Sequence, residues 1–439
     1  MTIVLAMSAL FVNASAQTAH PELENPAVNS INRMPARAYS MPLADVKAAL
    51  TDALEPETPY VKSLNGNWKI SWCGDPALRE MDFWKTDYDD SVWEIIDVPS
   101  CVELRGFGSP GYTNVRYPHA KMQPFIRDVV TQNNDYNPVS SYRTTFTVPE
   151  NWKGRDVIIR FDGVYSAYYL WINGHKVGYA EDSKLPSEFD ITPYIKNGEN
   201  LLAVEVYRWC DGSYLEDQDM FRFSGIYRDV TLIGMPHKRI EDFYVRTEIS
   251  DDRKNAKLNL TVSSTAGNVN STLYDASGRK VGSINGKEGT LNVQNPHLWS
   301  AEAPYLYTLV MKPGSDIRST RVGFKQVEIK NAIFTINGAP VKLKGVNRHE
   351  HSALNGRSVS FDEMMADILL MKKYNINTVR TSHYPDHHSW YDLCDKYGIY
   401  LVAEANVEGH EYGYDEEGLG RNPDWYSTIM ERNVNHVMN

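Results

Sequence analysis

The stretch AEANVEGHEYG, residues 403–413, places two carboxylates and a histidine close together in the chain. Glu408 and His410 lie two residues apart, so both side chains point to the same side of an extended backbone. A carboxylate oxygen and an imidazole nitrogen can hold Mg²⁺ or Mn²⁺, with waters completing an octahedron. The same pair could instead orient other groups through hydrogen bonds. The spacing alone leaves both interpretations open, but two ligands are too few for a structural zinc site.

Similar polar stretches follow each of three predicted strands. The strands are Val341–Val346, Ile376–Val379 and Ile399–Val402, and the stretches after them are Asn347–His351, Arg380–Pro385 and Glu404–His410. In a parallel βα barrel the carboxyl ends of the strands line one face, where the chemistry is done. The pattern therefore predicts one functional face built from all three strand ends.

Helices are predicted between and after these strands. Ser360 and Glu363 form a capping box that begins the first helix. The second runs from about His388 and ends at Gly398, and a third is expected at Asp424–Val437. The apolar face of the first helix is predicted to consist of Met364, Met365, Ile368, Leu369 and Met371. Alternation of strand and helix indicates a parallel α/β domain.

The order of these patterns predicts a multidomain protein. Short alternating strands and Asn-Gly turns over residues 61–237 are typical of a jelly-roll β-sandwich. Residues 238–330 have the size of an immunoglobulin-like β-sandwich. Residues 331–439 hold three βα units, whereas a TIM barrel needs eight, so we expect an incomplete (β/α)8 barrel. Residues 17–60 are predicted to be an extended leader.

Composition narrows the class of protein. The net charge of −11 repels phosphate backbones, so nucleic acid is not an expected partner. The four cysteines show no paired or metal-type spacing and are predicted to be buried free thiols. Residues 1–16 carry a short apolar run and a small-x-small cleavage site, but no basic residue precedes the run. We expect a signal peptide and a periplasmic or secreted protein, with a cytoplasmic one as the alternative, and no membrane span.

Several long motifs resemble the large bacterial β-galactosidases of glycoside hydrolase family two. They are EDSKLPSEFDIT (181–192), RWCDGSYLEDQDMFRFSGIYRDVTL (208–232), NPHLWSAEAPYLYTL (295–309), GVNRHEHSALNG (345–356) and NTVRTSHYP (377–385). The resemblance covers nearly the whole chain after the leader. It implies a sugar-binding jelly roll, an immunoglobulin-like domain and a catalytic (β/α)8 barrel, in that order. It also implies hydrolysis of terminal β-D-galactose from β-galactosides by a retaining double displacement.

The resemblance assigns roles to individual residues. Glu408 and His410 match the family's Mg²⁺ ligands, and Asp182 matches a residue that contacts substrate and binds Na⁺. The other positions that match substrate-binding residues are Asn137, His349, Arg380 and His383.

The two catalytic glutamates of the family have no match in this chain. The acid/base is the Glu of an Asn-Glu dipeptide, and no such dipeptide occurs in the 439 residues. The nucleophile follows still later in the family. Glu350, Glu404 and Glu408 match positions with other roles. We therefore expect the N-terminal portion of a longer enzyme, without activity alone and with an incomplete Mg²⁺ site.

Other interpretations remain open. β-Glucuronidases and β-mannosidases share the architecture, although SYLEDQDMFRFSGIYRDV favours a galactosidase. A non-catalytic carbohydrate-binding fragment would use only the jelly roll. A metallohydrolase built on His349, His351 and His410 would need a fuller ligand set. The natural galactoside is open, and the full-length protein could form a homo-oligomer.

Overall fold

The computed structural model describes residues 20–127, 136–413 and 418–438. The predicted signal peptide, residues 1–16, lies outside the described residues. Within the described ranges, no helix is both long and apolar enough to cross a bilayer. The four cysteines are free thiols, as predicted. Three of them are buried, but the prediction of burial is wrong for Cys73, which is half-buried.

Residues 20–236 form an antiparallel β-sandwich, as the jelly-roll prediction requires. Its sheets have the strand orders β1-β10-β9-β12-β6-β3-β4 and β11-β7-β15-β2, and two short ribbons pair β13 with β5 and β14 with β8. The elements are β1 Ser30–Ile31, α1 Val46–Ala49, β2 Val61–Ser63, β3 Gly66–Cys73, β4 Glu94–Val98, β5 Gly111–Thr113, β6 Val139–Thr147, β7 Arg155–Phe161, β8 Val164–Tyr165, β9 Ala167–Ile172, β10 His175–Ala180, β11 Ser187–Asp190, β12 Glu199–Tyr207, β13 Met220–Arg222, β14 Gly225–Ile226 and β15 Val230–Pro236.

Alternating apolar side chains fill the space between the two sheets. Trp68 from β3, Leu170 from β9 and Ile159 from β7 all lie in one buried cluster. The leader takes part in this domain, because Ser30 and Ile31 pair with Ala180 and Tyr179 at the edge of the larger sheet. Part of the predicted leader is therefore an edge strand of the sandwich.

A second β-sandwich follows, with sheets β16-β17-β20 and β19-β18-β21-β22. Leu258, Leu273 and Leu309 lie in its core. A small antiparallel sheet, β23-β24-β25, leads to the last domain. The strands are β16 Ile240–Ile249, β17 Asn255–Ser264, β18 Asn270–Tyr274, β19 Lys280–Asn285, β20 Glu288–Gln294, β21 Tyr307–Lys312, β22 Arg318–Val322, β23 Val327–Lys330, β24 Ile333–Ile336 and β25 Ala339–Pro340.

The last domain is a parallel three-stranded sheet with helices, which is part of a TIM-barrel architecture. The order is β26-β27-β28, and Asn347 of the first strand pairs with Arg380 of the second. The elements are β26 Gly345–Arg348, α2 Phe361–Lys373, β27 Thr378–Thr381, α3 His388–Tyr397, β28 Tyr400–Val402 and α4 Tyr426–Met438.

The predicted strand Val341–Val346 begins too early, because β26 starts only at Gly345. Before Gly345, the Asn377 side chain provides the hydrogen bonds that a neighbouring strand would otherwise make. The Asn377 amide donates to the Lys342 carbonyl at 3.1 Å and accepts from the Lys344 amide at 2.8 Å. Those backbone groups are thus satisfied without a neighbouring strand. The parallel pairing begins only at Gly345, opposite Thr378.

Helix α2 begins with the predicted capping box, in which Ser360 and Glu363 exchange side-chain-to-backbone bonds. Met364, Ile368 and Met371 are buried as expected. Leu369 is 51% exposed, so its inclusion in the apolar face is wrong. The buried face is narrower than the sequence suggests, because Leu369 lies outside the cluster that Met364, Ile368 and Met371 form with α3, the parallel sheet and Leu54.

Gly398 ends helix α3 in a left-handed conformation, with φ +73°. A Cβ at this position would overlap the carbonyl oxygen of Ala301 and approach its carbonyl carbon to 3.0 Å. We expect Gly398→Ala to destabilise the protein by about 2–4 kcal/mol, because the αL strain adds to a backbone clash. A fall in the thermal unfolding midpoint would measure it.

Gly278→Ala is the matched control for this change. Gly278 has φ +76°, but a Cβ there meets nothing within 4 Å. It carries the conformational strain without the clash, so its effect should be about 1–2 kcal/mol. Equal midpoints for the two variants would contradict the role assigned to the Ala301 contact.

Candidate active site

The polar side chains that follow β26, β27 and β28 meet on one face of the parallel sheet. The rings of His349 and His383 lie 5.5 Å apart, nearly perpendicular to each other. Arg380 donates through Nε to Glu404, and its Nη2 lies 3.3 Å from His383 Nδ1. The second oxygen of Glu404 is 3.5 Å from the same nitrogen. His349, Arg380, His383 and Glu404 therefore form one cluster, drawn from three strand ends.

Burial sets the protonation of His349. The half-buried ring has a pKa lowered to about 4, first because burial disfavours the cation and then because His383 lies nearby. Its Nδ1 is 3.3 Å from the Tyr384 hydroxyl. At neutral pH this imidazole is uncharged, so it can exchange hydrogen bonds with hydroxyl groups of a ligand.

Glu408 and His410 approach each other at the edge of the cluster, with Oε1 and Nδ1 3.7 Å apart. The backbone of Glu408 is held by the jelly roll: its N–H donates to the Leu215 carbonyl and its carbonyl accepts from Asp217. Burial raises the pKa of Glu408, and the Glu404 carboxylate adds to that rise, whereas His383 and His410 lower it.

This pair fits part of a metal site. Both are acceptable ligands for a hard divalent cation, and a cation would stabilise a carboxylate that burial and Glu404 destabilise. Within the described residues, groups of three metal-ligating side chains with all ligand atoms within 4.8 Å lie elsewhere. Glu408 and His410 could thus supply two ligands, and a cation bound there would need further ligands.

Asp182 lies behind the strand ends, in the jelly roll. It is buried, with φ +73°, and its Oδ1 accepts from the Asn406 amide at 2.8 Å. Its Oδ2 is buried and has no hydrogen-bond partner. Burial raises the pKa of this carboxyl, while Arg432 and Asn406 lower it. An unpaired buried oxygen of this kind is suited to a cation or a ligand hydroxyl.

Arg432 and Glu216 complete the support of this region, although the sequence predicts no role for either residue. The buried guanidinium of Arg432 reaches Glu216 Oε1 at 2.9 Å and the Asn406 carbonyl at 3.1 Å. Asn406 Nδ2 donates to the same Glu216 oxygen at 2.9 Å. The sequence around Arg432 does not indicate that this arginine is buried against a carboxylate of another domain. The signal for Glu216 is its place in the motif 208–232, which resembles the family.

Asn137 does not join the cluster through its own contacts. Its Nδ2 donates to the Trp209 carbonyl at 3.0 Å, and its Oδ1 accepts from the Trp209 amide at 2.9 Å. Both ends of the buried amide are therefore engaged within the jelly roll. Contact between Asn137 and substrate stays a prediction. The hydrogen bonds of Asn137 to Trp209 do not favour such a contact, because they already use both ends of its amide.

Comparison with known proteins gives the same architecture. A model of the sugar binding domain of glycosyl hydrolases family 2 matches residues 61–236, a second model of that family matches 238–325, and its TIM barrel domain matches 327–439. The chain belongs to glycosyl hydrolase family 2. This confirms the resemblance read from the motifs and the three-part fold.

Named relatives in this family are β-galactosidases. The chain is 40% identical to one from Priestia megaterium over 94% of its own length and 43% of the relative. It is 40% identical to one from Clostridium acetobutylicum, over 93% of this chain and 48% of that protein. The chain thus spans a little under half the length of these relatives.

Solved structures of the family share the fold. A β-D-glucuronidase from Dictyoglomus thermophilum superposes with a TM-score of 0.70 at 24% identity, over 87% of this chain and 65% of that one. A β-glucuronidase from Ruminococcus gnavus gives 0.72 at 23% identity, over 87% and 65%. At this level of identity the likeness concerns the fold alone.

Proposed function

We propose that this chain provides the galactose-binding part of a β-galactosidase active site. The observation that carries the proposal is the cluster of His349, Arg380, His383, Glu404 and Glu408 at the ends of three parallel strands. It occurs in a family 2 chain that is 40% identical to β-galactosidases. The reaction of the complete active site is hydrolysis of terminal β-D-galactosides with retention of configuration, by double displacement.

The cluster suits a neutral, hydroxyl-rich ligand. The uncharged His349 ring can exchange hydrogen bonds with sugar hydroxyls, and Arg380 and Glu404 hold His383 beside it. Asp182 adds a carboxylate oxygen that lacks a hydrogen-bond partner. Hydrogen bonds of this kind that strengthen as the sugar distorts would lower the barrier as well as bind substrate.

Charge favours a galactoside over a glucuronide. Glu404 and Glu408 lie on this face and Asp182 lies behind it, while Arg380 is already paired with Glu404. The carboxylate of a glucuronide would lose its water here and find no unpaired arginine among these residues to bind it, whereas a neutral galactoside has no such charge to compensate.

Cations belong to the same proposal. Glu408 and His410 would hold Mg²⁺, and Asp182 would hold Na⁺ through its unpartnered oxygen. A bound Mg²⁺ supplies positive charge beside the sugar. The protein's own part is to keep the Glu408 carboxylate and His410 facing each other, which the backbone bonds of Glu408 to the jelly roll achieve.

The double displacement needs two further carboxylates about 5 Å apart, one acid/base and one nucleophile. Among the described residues at this face, the acidic side chains already have partners. Glu404 is bound to Arg380, Glu350 is paired with the buried Arg228 at 2.5 Å, and Glu408 faces His410. We therefore propose that the 439-residue chain binds galactosides but does not hydrolyse them.

The purified 439-residue chain, in Mg²⁺ and Na⁺, is expected to bind methyl β-D-galactoside at least about tenfold more tightly than methyl β-D-glucuronide. Titration calorimetry or ligand-observed NMR would measure both affinities. His383→Ala should weaken galactoside binding, and His297→Ala, at an exposed ring on the second sandwich, should not. Equal affinity for the two sugars would contradict the substrate class. Hydrolysis of o-nitrophenyl galactoside would contradict the proposed lack of activity.

A further inference from the structure

A second group of metal-ligating side chains lies where the leader, the jelly roll and the barrel domain meet. Asp162 follows β7, His387 is the N-cap of helix α3, and His388 is the first residue of that helix. One carboxylate oxygen of Asp162 and one ring nitrogen of each histidine all lie within 4.8 Å of one another. The group shares no residue with the Glu408–His410 pair.

The contacts of the His388 ring leave one of its two nitrogens without a hydrogen-bond partner. Its Nε2 is 2.9 Å from Glu55 Oε1, and Glu55 also accepts from the Ser389 hydroxyl at 2.6 Å. Tyr39 stacks on the ring with a centroid distance of 3.8 Å. His388 Nδ1 is buried and has no hydrogen-bond partner. A buried ring nitrogen without a hydrogen bond lowers the stability of the folded state, unless a ligand or a cation binds to it.

Glu55 fixes which nitrogen carries the hydrogen. The Glu55 carboxylate acts as the acceptor in this contact, so Nε2 carries the hydrogen and Nδ1 is the ring nitrogen left to bind a cation. A histidine that binds a metal through one nitrogen commonly donates through the other to a carboxylate.

The other two side chains complete the donor set. The Asp162 carboxylate accepts from Arg160 at 2.6 Å and is one of the three ligand groups. His387 Nδ1 accepts from the Ser389 backbone N–H at 3.3 Å, a long contact that a cation bound through Nδ1 would replace. A carboxylate and an imidazole are both ligands that a divalent transition-metal ion accepts.

The surroundings contain positive charge that could oppose a cation, but it is already paired. Arg160 donates to Asp162 Oδ1 at 2.6 Å and to Glu188 at 3.1 Å, and Arg228 is paired with Glu350. The positive end of α3 is likewise offset by the carboxylates of Asp162 and Glu55. A cavity of about 290 Å³, lined by all three ligand candidates, leaves room for waters.

We propose that Asp162, His387 and His388 bind one divalent transition-metal ion of the Zn²⁺ type, with His388 using Nδ1. Two imidazoles and one carboxylate suit such an ion, with water in a fourth position. Because Glu55 and Tyr39 hold the His388 ring, the bound ion ties the leader and the jelly roll to the first turn of α3. The site is structural and independent of the proposed sugar-binding function.

His388→Phe tests this site with little change of shape, since phenylalanine keeps a ring against Tyr39. Equilibrium dialysis of the full chain with Zn²⁺ alone should find one tight equivalent in the wild type. The variant should weaken that equivalent by at least about 100-fold. Zn²⁺ should raise the Tm of the wild type and not that of the variant. Co²⁺ bound in its place should show visible absorption bands that the variant lacks.

Two controls separate this site from other histidines. His297→Phe replaces an exposed ring that stacks on Tyr305 at 4.5 Å, and it should bind Zn²⁺ like the wild type. His410→Phe disrupts the Glu408–His410 pair and should also keep the tight equivalent. If His388→Phe does not fold, Asp162→Asn takes its place. Absence of a tight equivalent in the wild type, or its loss in His410→Phe and survival in His388→Phe, would overturn the proposal.

Discussion

Replacing Arg432 with methionine is expected to destabilise the folded chain by about 3–5 kcal/mol. The arginine is buried on α4, and its charge compensates those of Glu216 and Asp182. Because both carboxylates are buried, water cannot stabilise them in place of the arginine. Methionine fills a similar volume but leaves those carboxylates uncompensated. It also removes the bond to the Asn406 carbonyl that holds α4 to the end of β28. Thermal unfolding, followed by tryptophan fluorescence, would measure the loss.

A second substitution shows whether charge is the cause. Adding Glu216→Gln to Arg432→Met removes one uncompensated carboxylate, so the double variant should recover part of the loss. Arg421→Met, at an exposed arginine just before α4, should change stability by less than about 0.5 kcal/mol. An Arg432→Met variant as stable as Arg421→Met would show that the buried ion pair does not hold the helix in place.

Arg380→Met is expected to weaken galactoside binding about 10- to 100-fold, with a smaller effect on stability. Arg380 bonds to Glu404 and lies beside His383, and its side chain is partly exposed. Hydrogen bonds to charged groups contribute about 1.5–3 kcal/mol, and here they fix Glu404 and His383, the two groups that we propose face the sugar. Titration with methyl β-D-galactoside would give the change in affinity.

The conservative variant separates positioning from charge. Arg380→Lys keeps a positive charge but cannot reach Glu404 and His383 with the same planar group, so its affinity should fall between wild type and Arg380→Met. Arg246→Met removes an exposed arginine paired with Glu248 on the second sandwich and should bind galactoside normally. Unchanged binding by Arg380→Met would exclude the arginine from the sugar site.

The sequence by itself determined the elements whose signals are local. Short alternating strands over residues 61–237 predicted a β-sandwich, which the two antiparallel sheets of this region form, and the capping box placed the start of α2. Gly398 ends α3 as expected, since the left-handed conformation there favours glycine. The motifs also determined the family, because long runs of residues retain the pattern of a fold and its active face.

Only the tertiary structure decided which distant side chains support that face. Arg432 meets Glu216 across 216 positions of chain, and Asn406 joins that pair to Asp182. No local spacing encodes such contacts, since they depend on how α4 docks against the jelly roll. The same holds for Asp162 and His388, which carry no motif until the folded chain sets them side by side. Local patterns fix elements, whereas buried charges take their partners from the packing of those elements.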